Sequence, residues 1–383
     1  MNHKKVIRIA VSVICLLLLA GILYYANYDR PRYTIMEDTG TEYETARVRK
    51  VIEDNTGVDT SNENIVRGSM KIQVEILSGR YKGDIATTTN YFGAVNNVIV
   101  GEGDKLTVRI DTIGVHEYEV SVYNYHRTWC IIGFVGLFLL TLVVIGGKQG
   151  FKAVVGLIFT ILCIVFILVP FCLKGHSPVL ITCLVILITN IACYALIGGI
   201  QIKTVTACMG SMCGVLVAAI LAYIAQQLTG LTTFQMDEAE ALLLVKAEYP
   251  LQMRGLFISG ILIASMGAVM DIAMDIASSL DELHKHKPEL NYKELFKSGM
   301  NIGKDAMGTM ANTLVLAFAG TSLNMMILIY SYGVSFTQLI NTDFVAIEII
   351  RAVAGSMGIV LTVPFVAAIS AGAYHRKKET KRN

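Results

Sequence analysis

A chain of 383 residues that is 54% apolar and 16% charged, with mean hydropathy +0.57, does not have the composition of a soluble protein. A formal net charge of +2 gives no general attraction to nucleic acid, and six prolines leave little room for disorder. The composition excludes a cytosolic enzyme and a DNA-binding protein, and describes a multi-pass membrane protein.

In chain order, a basic flank (Lys4, Lys5, Arg8) precedes an apolar run over 9–26 with no small-x-small cleavage pattern after it. This predicts a retained signal anchor over 1–26. Seven further apolar stretches follow, at 129–145, 153–173, 178–197, 205–228, 256–280, 306–330 and 349–374, for eight predicted spans. With the N-terminus inside, the inner segments carry 16 Lys/Arg and the short outer connections four. That asymmetry places both termini in the cytoplasm, ending in a basic tail over 376–383, and residues 27–127 outside. All eight cysteines lie in apolar stretches and none in 27–127, so neither a disulfide framework nor a zinc site is expected.

The outer segment 27–127 changes to short alternating runs, at 44–52, 70–77, 85–91, 105–110 and 117–123. These predict a small antiparallel β-barrel of about five strands, OB-like in type. Ser78-Gly79 and Lys82-Gly83 supply a hairpin between its second and third strands. Its 12 Lys/Arg against 16 Asp/Glu make a mixed solvated face, without the basic stripe or aromatic platform that nucleic acid needs. No nucleophile–base pair or ligand cluster stands out, so the domain reads as a cap or a partner-docking element. Between the fifth and sixth spans, 234–249 reads as a short amphipathic helix at the outer interface.

Ionisable groups inside spans cost roughly 2.5–3.5 kcal/mol each near a helix centre, which makes them the best functional pointers. The sixth span carries Asp271 and Asp275 four residues apart, hence on one helical face, with Gly267 and Ser278 close to the same stripe. Two carboxylates one turn apart repel when both are ionised, a pattern suited to proton exchange or cation binding. The alternative reading has Asp275 reaching the cytoplasmic interface. The next span is taken to begin at Asp305, and its Asn312, Thr313, Thr321, Ser322 and Asn324 are too dense for a lipid-facing helix. The two helices are therefore expected to face each other, with Asp305, Asn312, Asp271 and Asp275 converging in the inner half of the bundle. Glu348 and Arg351 can pair or act as an interfacial anchor, the anchor being preferred. His284 and His286 are two apart and point to different faces, against a metal pair.

Gly210-Ser-Met-Cys-Gly-Val-Leu in the fifth span is similar to Gly355-Ser-Met-Gly-Ile-Val-Leu in the eighth, and Gly156-Leu-Ile-Phe faintly echoes Gly255-Leu-Phe-Ile. An inverted three-plus-three repeat would account for this, and so would chance similarity between tightly packed glycine-rich helices. The anchor, the outer Leu77-Ser-Gly-Arg-Tyr-Lys-Gly83, Met270-Asp-Ile-Ala-Met-Asp-Ile-Ala-Ser278 and Gly355-Ser-Met-Gly358 with Pro364 together make the chain resemble the YibE/F-like family of bacterial membrane proteins. The outer domain makes it similar to the longer, YibE-like members, which implies a shorter YibF-like partner. The resemblance carries no established activity; if functional residues transfer, Asp271, Asp275 and Ser278 are the matching positions.

The leading expectation is a secondary transporter or permease of the bacterial cell membrane, using Asp271, Asp275, Ser278, Asp305 and Asn312 for a proton or cation. The alternative is a non-transporting assembly or envelope factor that docks a partner through its outer domain. Neither His-Glu-x-x-His nor Gly-x-Ser-x-Gly is present, so no enzyme is expected, and no metal or cofactor.

Overall fold

The computed structural model describes residues 19–28, 40–60, 65–93, 97–113, 117–199, 201–236 and 238–382, with side chains as far as Arg376. The chain divides into two compact units, Pro31–Thr141 and the remainder. Most of the predicted anchor, including Cys15, lies outside the described residues.

The first unit is a five-stranded antiparallel sheet, β1 (Thr41–Asp59), β2 (Ile65–Ile76), β3 (Ile85–Phe92), β4 (Lys105–Thr112) and β5 (Tyr118–Tyr125), in the order β3-β2-β1-β4-β5. All five predicted strands are present; β1 and β2 run further than predicted, as one long hairpin. Alternation puts Met70, Ile72, Val74 and Ile76 of β2 inside with Ala46 and Val48 of β1 and Leu106, Val108 and Ile110 of β4. Two register shifts in β1 bend the sheet until its edge strands β3 and β5 approach, making a half-barrel. Tyr81 and Tyr118 close that seam with ring centroids 4.2 Å apart, and the Tyr118 hydroxyl donates to Asp84. Burial, and then this bond, push the Tyr118 phenol up from its ordinary range. The β2–β3 turn uses Gly79 and Gly83 at φ 77° and 97°, as its glycines predicted.

The second unit is helical. Residues 19–27 form α1, followed by α2 (Thr128–Cys163), which begins in the first unit, a π-helical turn (Ile164–Leu168), α3 (Val169–Leu173), α4 (Pro178–Gly198), α5 (Ile202–Thr229), α6 (Ala239–Glu248), α7 (Leu256–His286), α8 (Tyr292–Thr321), α9 (Leu323–Ser331), α10 (Phe336–Ile340) and α11 (Asp343–Arg382). Among the described residues five helices are long and apolar enough to cross a membrane, six if α8 and α9, bent by 60°, form one span. The run Thr128–Leu173 counts once in that number, yet a straight helix of its 46 residues would be about 69 Å long, over twice an apolar core. It is not straight. Gly147 leaves the helical region (φ 54°, ψ −130°), and a Cβ on Gly150 would overlap the Leu142 carbonyl eight residues earlier, so the chain folds back there.

Several boundaries differ from expectation. The seventh predicted helix begins at Tyr292 rather than near Asp305, because Asn291 and Glu294 form a capping box with reciprocal bonds of 3.0 and 2.9 Å. It is also broken at Ser322, and α11 starts at Asp343 rather than 349. The short helix expected in 234–249 is α6.

Proline chemistry ties α1 to the bundle. Pro170 has no N–H for the Phe166 carbonyl one turn back, and Asn27 Nδ2 donates to that carbonyl at 3.0 Å. Lys174 Nζ donates to the Tyr25 and Tyr28 carbonyls at the end of α1, both at 2.8 Å. Arg351 and Glu348, expected as an anchor, instead pair at 2.6 Å, with Arg351 over the Phe257 ring, because the start of α11 packs on α7.

The centre of the bundle is α11, held by α5, α7 and α8. Gly210 and Gly214 of α5 lie against Val366 and Thr362, Gly358 against Ala218, and Gly299 and Gly303 of α8 against Ala367 and Val363. The two similar glycine strings thus come together at one crossing. The rest of the proposed repeat is not matched in packing: α7 contacts both α5 and α11, whereas the α2–α3 segment rests mainly on α4 through its π turn and α3. Gly214→Val is expected to lower stability by about 3 kcal/mol or prevent a monodisperse fold, while Gly267→Ala, whose Cβ meets nothing within 4 Å, is expected to raise it by about 0.5–1 kcal/mol through helix propensity. Thermal unfolding of the purified variants, read with size-exclusion profiles, checks the contrast.

Candidate functional site

On α7 the apolar positions Ile258, Ile261, Leu262, Val269, Ile272, Ile276 and Leu280 are buried along one face. The opposite face carries Gly260, Ala264, Gly267, Asp271 and Asp275, all exposed, with Ser278 half-buried at its end. Spacings of three and four residues keep these on one stripe. Nothing lies within 4 Å of where a side chain on Gly260 or Gly267 would begin. The two carboxylates therefore share a face that the described residues leave uncovered. Among the described residues neither makes a side-chain hydrogen bond or ion pair.

Asp305 and Asn312 lie on α8 with Asn301 and Gly308, again on the exposed side, opposite Leu295, Gly299 and Gly303. The helices α7 and α8 do pack together, as expected, but through their apolar and glycine faces: Gly303 meets Ile276 and Gly299 meets Leu280. The expected convergence of Asp305 and Asn312 on Asp271 and Asp275 is not seen among the described hydrogen bonds and ion pairs. The physical reason is that the small and apolar residues of both helices claim the shared interior, leaving the polar stripes outside. Thr309, Thr313 and Thr321 return their hydroxyl protons to carbonyls of their own helix, which removes the need for a polar neighbour. His284 stacks on Tyr374 while His286 meets Glu282 at 3.1 Å, so the two rings serve different neighbours.

The interior holds a polar centre that the sequence reading passed over. Asn190 and Tyr194, one turn apart on α4, are 0% and 2% exposed. Asn190 Nδ2 reaches Ser211 Oγ of α5 at 3.2 Å, and the Tyr194 hydroxyl donates to the Met270 carbonyl of α7 at 3.1 Å. Tyr194 thus meets the backbone of α7 one residue before Asp271. An asparagine in the middle of an otherwise apolar span was the signal available in the sequence. No group of three or more His, Cys, Asp or Glu among the described residues is arranged to hold a metal.

A carboxylate without partners on an apolar helix is a stability cost, retained where a function needs it. Asp271→Asn is accordingly expected to leave the fold intact and raise stability by on the order of 1 kcal/mol in lipid nanodiscs. A fall in melting temperature of the size seen for a core substitution would show instead that the fold depends on the carboxylate.

Comparison with known proteins bears on the helical unit. No curated protein and no solved structure matches the chain. The family model described as YibE/F-like protein matches residues 134–376, which contain α3 to α9 and every candidate site residue above. Since the match covers more than half of its length, the chain belongs to the YibE/F-like protein family.

Proposed function

We propose that this membrane protein is a secondary transporter or permease in which Asp271 and Asp275 take up a proton or cation. The observation that carries this reading is the pair of carboxylates one turn apart on the small-residue face of α7, without partner or cover among the described residues. Mutual repulsion between such groups favours one shared proton or a bound cation. Ser278, Asp305 and Asn312 belong to the polar surface of α7 and α8 rather than to the acid pair itself.

In this reading the chain has eight spans, with the Thr128–Leu173 run crossing twice by its reversal at Gly147, and both termini in the cytoplasm. Two clusters of contacts support the alternation. Gln252 Nε2 donates to the Gly175 carbonyl at 2.7 Å, joining two connections assigned to the outer side. Tyr374 donates to Asp281 at 2.9 Å, and Lys285 pairs with Asp281 at 2.7 Å, joining groups assigned to the inner side. The half-barrel is then an extracytoplasmic domain, its strand order and near-closing edges supporting the OB-like type.

One observation favours the second reading, an assembly or envelope factor. Among the described residues the α7 stripe is uncovered, as an interface for another membrane subunit would be, and a shorter YibF-like protein suits that place.

The test is proton flux in proteoliposomes loaded with a pH-sensitive dye, under an imposed sodium or potassium gradient. Asp271→Asn is expected to reduce the flux at least tenfold and Asp275→Asn to shift its pH dependence, with expression of both unchanged. Flux equal to wild type in Asp271→Asn refutes the role. Removing 27–127 while keeping every span leaves flux in place for a transporter and abolishes the cellular function of a docking factor.

A further inference from the structure

Positive charge collects on the half-barrel where its sheet runs into the first apolar helix. Arg47 of β1 and Lys105 of β4 stand directly opposite each other in the register, and both are exposed. Like charges so placed repel unless an anion lies between them. The His126 N–H donates to the Lys105 carbonyl, and Arg127 follows with its guanidinium 5.2 Å from the centre of the Tyr125 ring. The carboxylates at this end are engaged elsewhere. Glu75, opposite Arg47 on the β2 side, pairs with Arg49 at 2.8 Å, Asp104 accepts from the Gly101 N–H at 2.8 Å, and Glu102 accepts from the Val51 N–H at 3.1 Å. Among the described residues Arg47, Lys105 and Arg127 enter no ion pair, and the first turn of α2 supplies no acid.

α2 begins at Thr128, and its first part, as far as Thr141, belongs to the same compact unit as the sheet. From Trp129 onward that part is apolar and exposed, the surface of a helix entering lipid. Two residues span at most about 7 Å and neighbouring strands stand about 5 Å apart, so these cations lie within reach of the headgroup layer around the point of entry. Trp129, 73% exposed in the first turn, is of the residue type that settles in that layer. We propose that Arg47, Lys105 and Arg127 form a docking strip for the phosphates of anionic phospholipids, which fastens the half-barrel to the bilayer surface. Charge and position select this occupant. Headgroups surround the start of α2, and a layer of separate phosphates answers cations spread along a strip rather than gathered round one centre. The two arginines add planar forks that match phosphate oxygens. The inference goes beyond the transport reading, rests only on α2 being a membrane span, and holds whichever side of the bilayer the half-barrel occupies.

Trp129 is the one tryptophan of the sequence, so its fluorescence reports on the lipid at this place. The experiment is quenching of Trp129 in the full-length protein, reconstituted into phosphatidylcholine bilayers that carry either brominated phosphatidylglycerol or brominated phosphatidylcholine at equal mole fraction. Wild type is expected to favour phosphatidylglycerol about threefold, and raising the salt from about 0.05 M to about 0.5 M is expected to weaken that preference through screening. The triple variant Arg47→Gln, Lys105→Gln, Arg127→Gln changes only exposed side chains and is expected to be quenched equally by both lipids. Lys82→Gln is the control, next to Tyr81, which meets Tyr118 at the opposite end of β5, and is expected to keep the preference. Equal quenching of wild type by the two lipids overturns the strip. So does a preference that survives the triple variant, or one lost to the same extent in Lys82→Gln. Loss of the preference when chloride is exchanged for inorganic phosphate at constant ionic strength assigns the cations to a free anion, and overturns the lipid as their partner.

Discussion

The helical unit depends on how closely α11 can approach α5 and α8. In a bilayer the apolar surface of a helix gains little by leaving lipid for protein, so association rests on dispersion forces at short range. Gly210 and Gly214 on α5, Gly358 on α11 and Gly299 and Gly303 on α8 remove the side chains that would hold the backbones apart. Val363, Val366 and Thr362 fill the space so made, and all three are fully buried. Pro364, the residue after Val363, is half-buried at the edge of this contact. Thr362 returns its hydroxyl proton to the Gly358 carbonyl at 2.7 Å.

That crossing decides where everything polar must go. With α11 surrounded by the inward faces of α5, α7 and α8, the residues on the far sides of α7 and α8 are directed away from the core. Asp271, Asp275, Asp305 and Asn312 are all in that position. A monomer in lipid would solvate them poorly, which is the energetic basis for assigning the α7 stripe to ions or to another subunit. The same packing brings Asn190 and Tyr194 of α4 against Ser211 of α5 and the backbone of α7, behind the acids rather than among them. The exposed carboxylates and the buried neutral oxygens are two sides of one helix wall, joined at Met270 and Asp271.

The ends of the bundle add charge and hydrogen bonds to their apolar and aromatic contacts. Lys174 closes the last carbonyls of α1, and Asn27 donates to the Phe166 carbonyl one turn before Pro170, so side chains of one helix meet backbone groups of another. At the opposite end, Asp281 receives both Tyr374 and Lys285. The half-barrel uses different means, alternation and two bulges in β1, because its core is walled by a sheet that must curve to close on itself.

The sequence by itself determined the apolar helices, the five alternating strands, the hairpin at Ser78 to Gly83 and the acid pair on one face of α7. Each of these is a local matter of periodicity, turn chemistry or spacing along one element. It also held the start of α8 in Asn291 and Glu294, a capping signal masked by the expectation that an apolar run begins where its polar residues end. Only the tertiary structure decided which face of each helix is inside. An amphipathic stripe in a membrane helix can point to the bundle or away from it with the same sequence pattern, and the choice is made by the small residues that allow close approach. For that reason Asp305 and Asn312 were assigned to a shared interior and are found on exposed positions, while Asn190, next to Thr189 in a largely apolar helix, found its partners only once α5 was folded against it.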